Sequence, residues 1–299
     1  MNEDSRKIAI SGMSGMIGTA LAELAAQRGW KVVPMKRNRG ADGIYWSVEN
    51  EEIDGEALEE MDALIHLASE SIHDRWTEAK KKAILHSRVQ GTKLIAETLA
   101  ELDDPPQVLI TASGINYYGH RGDEWIDEQS QPGESFLARV CKKWEEASKP
   151  ARKCCRVVNA RTGVVLSRRG GALKEMLTPF KLGVGGRIGS GEQYMSWIAL
   201  RDTVRAYLFI VDHEELEGPV NLTSPNPVKS VEFTNALGAA LKRPTLLPTP
   251  TPILKMVAGA ELAEELLLNG QRVRPAKLLE AGFEFEYESV HDALVDAVG

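Results

Sequence analysis

Cysteine is nearly absent from this chain. It holds three in 299 residues, with Cys154 and Cys155 adjacent and Cys141 alone. No CxxC pair occurs and no His/Cys cluster has zinc spacing, which excludes a disulfide framework and a zinc site as organising principles. No metal is expected. Long apolar runs are missing too. None approaches the roughly 20 residues that a spanning helix needs, so no membrane association is expected. The opening MNEDSRKIAI has no apolar stretch of signal length, so the expected location is cytoplasmic. Positive charge is also in deficit: 36 Lys and Arg against 43 Asp and Glu leave a net charge of −7. Nucleic acid is therefore not an expected partner.

What is present alternates. KIAIS reads as a short apolar strand, and the helix after it ends near Gly29. KVVPMKR, MDALIHLA, QVLITASG and RVVNARTGVVL read as further strands. Between them, WTEAKKKAILHSRVQGTKLIAETLAEL reads as a long amphipathic helix stopped by DDPP, and SFLARVCKKWEEASK as a shorter one. Near-continuous apolar strands alternating with helices imply an α/β fold, a doubly wound parallel sheet covered on both faces. This describes residues 1–168. Residues 169–299 open on the glycine-rich RRGGALKEMLTPFKLGVGGRIGSGEQYMSW and read as a small, mostly helical domain. Within them, 197–224 looks like a helix and strand returning to the first domain.

Gly12, Gly15 and Gly18 stand three apart, just after the first strand and opening a helix. A helix N-terminus offers free N–H groups and the positive end of a dipole, which suit a phosphate. Glycines let a pyrophosphate approach the turn and let helix and strand pack closely. The second strand ends Lys36-Arg37 with Arg39 beyond, and the first acid is Asp42. An acid there would bind ribose hydroxyls and repel a 2′-phosphate, whereas Arg37 could grip that phosphate bidentately. The reading is NADP rather than NAD. The opposing reading is a solvated basic loop.

GxxGxxG in the first turn, HLA after the third strand, VQGTKLI in the long helix and TASGINYYG after the next strand resemble the extended short-chain dehydrogenase/reductases. RTGVVLSRRGGALKEMLTPFKLGVGGRIGSGEQYMSWI and GQRVRPAKLLEAGFEFEY narrow the resemblance to their atypical "epimerase family protein" branch. The likeness covers nearly the whole chain. It implies a Rossmann domain with a small C-terminal substrate domain. It places Gly12, Gly15, Met16, Ile17 and Gly18 at the pyrophosphate, Lys36 and Arg37 at the 2′-phosphate, and Leu67 and Ala68 at the adenosine and ribose. Arg88 stands where extended enzymes usually carry an asparagine. It would either reach the cofactor or serve the surface.

That family relies on a tyrosine with a lysine four residues on, the lysine easing the tyrosine's proton loss. Here Phe136 and Val140 hold those places, and no Tyr-x-x-x-Lys occurs anywhere in the chain. The remaining catalytic candidates are Ser113, Tyr117 and Tyr118, with Arg121 placed to assist Tyr117. Tyr118-Gly119 also matches a structural pair of the superfamily. Lys142 and Lys143 read as a solvated face, Cys141 as a buried thiol, and His66 and His120 as structural. In the glycine-rich block, Arg187, Tyr194 and Trp197 would contact substrate, or the block is a packing loop with a buried tryptophan.

The leading expectation is an NADP-dependent oxidoreductase or epimerase acting on a small polar, sugar-like substrate. The alternative is a non-catalytic NADP-binding redox sensor. A module that binds no nucleotide would need the glycine turn to be coincidence. An open sheet edge would allow a homodimer.

Overall fold

The computed structural model describes residues 6–299, so the first half of the opening stretch from which location was read lies outside it. Eight strands form the central sheet: β1 (Lys7–Ser11), β2 (Lys31–Lys36), β3 (Ile44–Ser47), β4 (Glu52–Ile53), β5 (Ala63–His66), β6 (Val108–Gly114), β7 (Arg156–Thr162) and β8 (Gly218–Leu222). Their spatial order is β8-β7-β6-β5-β1-β2-β3-β4. Every pairing is parallel except β3 with β4. The chain leaves β1 toward β2 on one side and returns at β5 on the other. In a doubly wound sheet, ligands bind at such a switch point, beyond the C-terminal ends of the strands.

Strand periodicity sorts the core into two layers. Ile8, Ile10, Ala63, Ile65, Val108 and Ile110 face one side, with α1 (Met16–Gln27) and α5 (Leu200–Asp212). Ala9, Leu64 and Leu109 face the other, with α2 (Glu78–Glu101). Burial on both faces is why these strands read as continuous apolar runs. α2 starts at Thr77, whose hydroxyl accepts from the Lys80 amide at 3.1 Å. It is followed by α3 (Phe136–Ala147), capped by Ser135.

A third apolar cluster lies apart from these two layers. Leu173 and Leu177 of α4 (Gly171–Lys181), Phe233 and Leu237 of α6 (Ser230–Leu241) and Leu294 of α8 (Val290–Val298) pack with Trp197. α7 (Thr251–Ala258) buries no residue. Three two-stranded pairings stitch the irregular chain together: Val164–Leu166 with Trp197–Ala199, Tyr194–Met195 with Val228–Lys229, and Trp125–Ile126 with Arg272–Val273. Residues 200–222 join the central sheet and its helices, since α5 packs on α1 and β8 pairs with β7. The β3–β4 ribbon had no counterpart in the sequence reading.

Candidate functional site

The glycine turn lies at the switch point. Gly12 has φ +71, and a Cβ there would sit 2.8 Å from the Ala68 nitrogen and 2.9 Å from the Leu67 carbonyl carbon. Glycine is therefore required both for its conformation and for the close approach of the two loops. Gly18 is buried, and a Cβ on it would lie 2.4 Å from the Gly12 oxygen. Gly15 differs. It is exposed, it precedes α1, and a Cβ on it would meet only the Gly12 oxygen at 3.2 Å. No side chain caps α1 and no acid lies in its first turn, so its positive end is open. The second and third glycines hold different places, one exposed at the start of α1 and one locking the helix to the turn.

A buried Ser–His pair braces the opposite wall. Ser11 Oγ lies 2.6 Å from His66 Nδ1 and also accepts from the Leu67 and Ala68 amides at 3.2 and 3.3 Å. The serine hydrogen must go to the histidine, which fixes the neutral ring with its hydrogen on Nε2. Burial pushes the imidazole down to about 4. Nε2 has no partner, and the ring meets Trp46 edge-on at 5.6 Å. His66 is thus structural: it holds the loop that carries Leu67 and Ala68.

At the end of β2, Arg37 is exposed and forms no ion pair among the described residues. Arg39 is already engaged, bonding Glu52 and lying over the Tyr45 ring at 4.3 Å. Lys36 is half-buried. The free guanidinium at this corner is therefore Arg37.

Arg88 is neither on the surface nor free. It is 8% exposed, donates to the Glu70 and Ile84 carbonyls at 2.9 and 3.2 Å and lies over Trp144 at 4.9 Å. The surface alternative is corrected: burial lowers this guanidinium, which ties the loop after β5 to α2 and α3.

At the C-terminal ends of β6 and β7 lies a buried polar network that sequence reasoning missed. Arg161 binds Glu145 bidentately, Nε to Oε1 and Nη2 to Oε2, both at 2.8 Å. The Ser113 hydroxyl donates to Glu145 Oε1 at 2.8 Å. Arg161 Nη1 donates at 3.0 Å to the Tyr118 hydroxyl, which donates at 2.7 Å to Asn221 Oδ1. The Asn221 amide in turn reaches the buried carboxylate of Glu128 at 3.0 Å. Burial alone would lower Arg161; the hydrogen bonds and charge of Glu145 outweigh it and hold the guanidinium above its ordinary value. Burial holds the Glu128 carboxyl above the carboxylate range.

This network separates the two tyrosines. Tyr118 is fully buried, its hydroxyl is engaged twice, and burial drives the phenol far above its usual value. As a catalytic candidate it is corrected to a structural residue. Tyr117 is half-buried, and its hydroxyl has no partner among the described residues. The cation beside it is Arg161, 3.5 Å above the ring centroid. Arg121 is corrected too: it donates to the Tyr118 and Gln131 carbonyls instead.

The place of the missing Tyr/Lys pair is filled. Phe136 packs on Trp76 with centroids 5.1 Å apart, and Val140 is buried. Glu265 covers the N-terminus of α3, accepting from Ser135 Oγ and from the Phe136 and Leu137 amides at 2.7–2.9 Å. Cys141 is buried, its thiol pushed up to about 11. Lys142 and Lys143 are exposed. In the glycine-rich block, Trp197 is fully buried and its indole N–H donates to the Asn226 carbonyl at 3.0 Å, a core role in place of substrate contact. Tyr194 lies against Arg272 at 4.7 Å, and Arg187 is exposed. The block does not bring these three residues together. Among the described residues no acid/His/Cys cluster could hold a metal, and no helix is long and apolar enough to cross a membrane.

Comparison with known proteins matches residues 8–222 to the "NAD dependent epimerase/dehydratase family" and residues 249–297 to a domain of unknown function, DUF1731. The epimerase family protein MT2273 of Mycobacterium tuberculosis is 42% identical over 291 residues, covering 96% of each chain. The human epimerase family protein SDR39U1 is 34% identical over 296 residues, 98% of this chain and 99% of that one. A crystal structure of human SDR39U1 (isoform 2) with NADPH superposes with a TM-score of 0.91 at 32% identity, covering 97% of this chain and 98% of that chain. The chain belongs to the NAD dependent epimerase/dehydratase family, within the extended short-chain dehydrogenase/reductases.

Proposed function

We propose that the protein binds NADP(H) across the switch point and acts as an oxidoreductase or epimerase on a small polar, sugar-like molecule. The observation that carries the cofactor half is the unpaired Arg37 beside the glycine cradle. The first α1 turn, Met16 to Gly18, offers its amides to the pyrophosphate over Gly15. Leu67 and Ala68, held by Ser11, line the adenosine side, and Arg37 with Lys36 meets the 2′-phosphate. The human relative crystallised with NADPH supports the same reading. The bound cofactor would supply hydride transfer at its nicotinamide.

For the proton, Tyr117 replaces the absent pair. Its hydroxyl is unpartnered, and its ring is held by Arg161. Ser113 holds the substrate oxygen with a defined polarity: its hydrogen is given to Glu145, so Ser113 Oγ meets the substrate as an acceptor of a hydroxyl hydrogen. Arg88, tying loop to helix, keeps the wall of the cleft in place.

A second reading, a non-catalytic reader of NADP redox state, is favoured by the apolar filling at Phe136 and Val140. Both readings share the cofactor. Nicotinamide fluorescence is titrated with NADPH and NADH for wild type and Arg37→Glu, then substrates are screened with Tyr117→Phe as control. NADPH binding lost in Arg37→Glu, with turnover abolished in Tyr117→Phe, supports the enzyme. NADPH binding without turnover on any polyol or sugar nucleotide favours the reader, and no binding of either nucleotide sinks both.

A further inference from the structure

The chain beyond Lys181 carries a feature that the proposed cofactor site does not use. Nine large apolar side chains are exposed among the described residues, and seven of them fall within 182–184 and 246–257. The two segments are neighbours: Gly186 pairs with Leu246 and Ile188 with Thr249 in isolated bridges. Leu182, Val184, Leu246 and Leu247 flank this contact. α7 begins just beyond it, and its Ile253, Met256 and Val257 share one helix face by their i, i+3, i+4 spacing. These side chains protrude. Leu246 is 86% exposed, and Met256 and Val257 are each 73% exposed.

Charge marks the same region. Lys174, Lys181, Arg187, Lys242 and Arg243 are exposed and form no salt bridge among the described residues. Lys255 is the exception, paired with Glu264 at 2.5 Å. The only acid in 174–187 and 242–257 is Glu175. On a chain with a net charge of −7, this is an apolar surface with cations beside it, of which Arg187 acts on Glu192 and Lys174, Lys181, Lys242 and Arg243 form no salt bridge among the described residues.

We propose that this face docks on an anionic lipid surface, its apolar side chains entering the headgroup region while the cations rest against lipid charge. Protrusion argues for this occupant, because a partner helix needs a groove to lie in. A second copy of the chain is disfavoured, since a two-fold interface would set the cationic rim against itself. Docking of this kind needs no spanning helix. It departs from the expectation, drawn from the absence of long apolar runs, that membranes play no part.

The test is sedimentation of the full chain with vesicles of phosphatidylcholine alone and of phosphatidylcholine mixed with phosphatidylglycerol. Wild type is expected on the mixed vesicles, about tenfold or more weaker on the neutral ones, and weaker again as salt rises. Lys242→Glu/Arg243→Glu and Leu246→Glu/Leu247→Glu should each cut binding by at least about tenfold with unchanged melting temperature, because all four side chains are exposed. Equal binding to both vesicle types, no binding to either, or no loss in the variants would overturn the proposal. So would light scattering that shows a wild-type dimer dissociated by Leu246→Glu, which would make the face a self-interface.

Discussion

Ser113 and Glu145 are 32 residues apart in sequence and joined by a 2.8 Å hydrogen bond at the end of β6. The bond brings a serine hydroxyl into an ion pair, since Glu145 is also held by both arms of Arg161. Arg161 is 3% exposed in its side chain. Removing Glu145 leaves a buried cation without its partner, which costs far more than losing a surface pair. Glu145→Ala is expected to destabilise the fold by about 3 kcal/mol, read by urea denaturation. Glu145→Leu combined with Arg161→Met should cost less than the single change. The opposite order would mean that the pair is worth little here.

The glycine turn predicts a separation of stability from binding. Gly18→Ala sets a methyl 2.4 Å from the Gly12 oxygen, where only backbone can give way, so the melting temperature should fall by several degrees. Gly15→Ala meets only one atom, at 3.2 Å, and should melt close to wild type. Its methyl would stand where the pyrophosphate is proposed to lie, however, and NADPH affinity should drop by about tenfold or more. Equal effects of the two changes on both measurements would refute the division.

At the end of β2, where the 2′-phosphate is proposed to bind, the two arginines should behave differently. Arg37→Ala is expected to weaken NADPH binding by roughly tenfold and leave NADH unchanged, because only the former carries the added phosphate. Arg39→Ala should change neither by much, since Arg39 is already bonded to Glu52. The ratio of the two dissociation constants, measured for each variant, decides which arginine reads the phosphate.

His66 makes a prediction about pH. Its folded value is about 4, below the ordinary 6.5, so the unfolded chain binds its proton first. The resulting stability is fully present above 6.5 and is lost as pH falls through 4. The shift corresponds to about 3 kcal/mol across that window. Glu128, held above the carboxylate range, works in the opposite sense, so the net slope alone is not diagnostic. The His66→Asn variant isolates the term: its stability should vary less than wild type between pH 4 and 6.5.

The sequence was most legible where chain order and local pattern coincide. The glycine turn, the basic end of β2 and the alternation of strand and helix are local, and each is found where its pattern put it. The polar network was not legible, because Ser113, Tyr118, Glu145, Arg161 and Asn221 meet only through the parallel register of β6, β7 and β8. One signal was available. Asn159 and Arg161 interrupt an otherwise apolar strand, and a charge in a strand buried on both faces needs a partner. Arg121 was misassigned for the converse reason: spacing of four along the chain suggested contact with Tyr117, but the turn at Ile115–Tyr118 is a 3₁₀ turn, and the arginine is spent on loop carbonyls.

The adjacent tyrosines give the sharpest test of the proposed chemistry. Tyr118→Phe deletes a hydroxyl that satisfies both Arg161 Nη1 and Asn221 Oδ1, leaving the buried Asn221 Oδ1 without a donor and Arg161 Nη1 with only the Glu128 carbonyl at 3.5 Å. It should cost about 2 kcal/mol of stability. Tyr117→Phe deletes a hydroxyl with no partner among the described residues, so its stability should match wild type. If Tyr117 moves the proton, the same change should lower turnover by roughly 10²–10⁴-fold with NADPH affinity intact. A Tyr117→Phe protein as stable and as active as wild type would remove it from the mechanism. The proton would then have to pass by Ser113 to Glu145, a route that Glu145→Gln would block while keeping the side chain's shape.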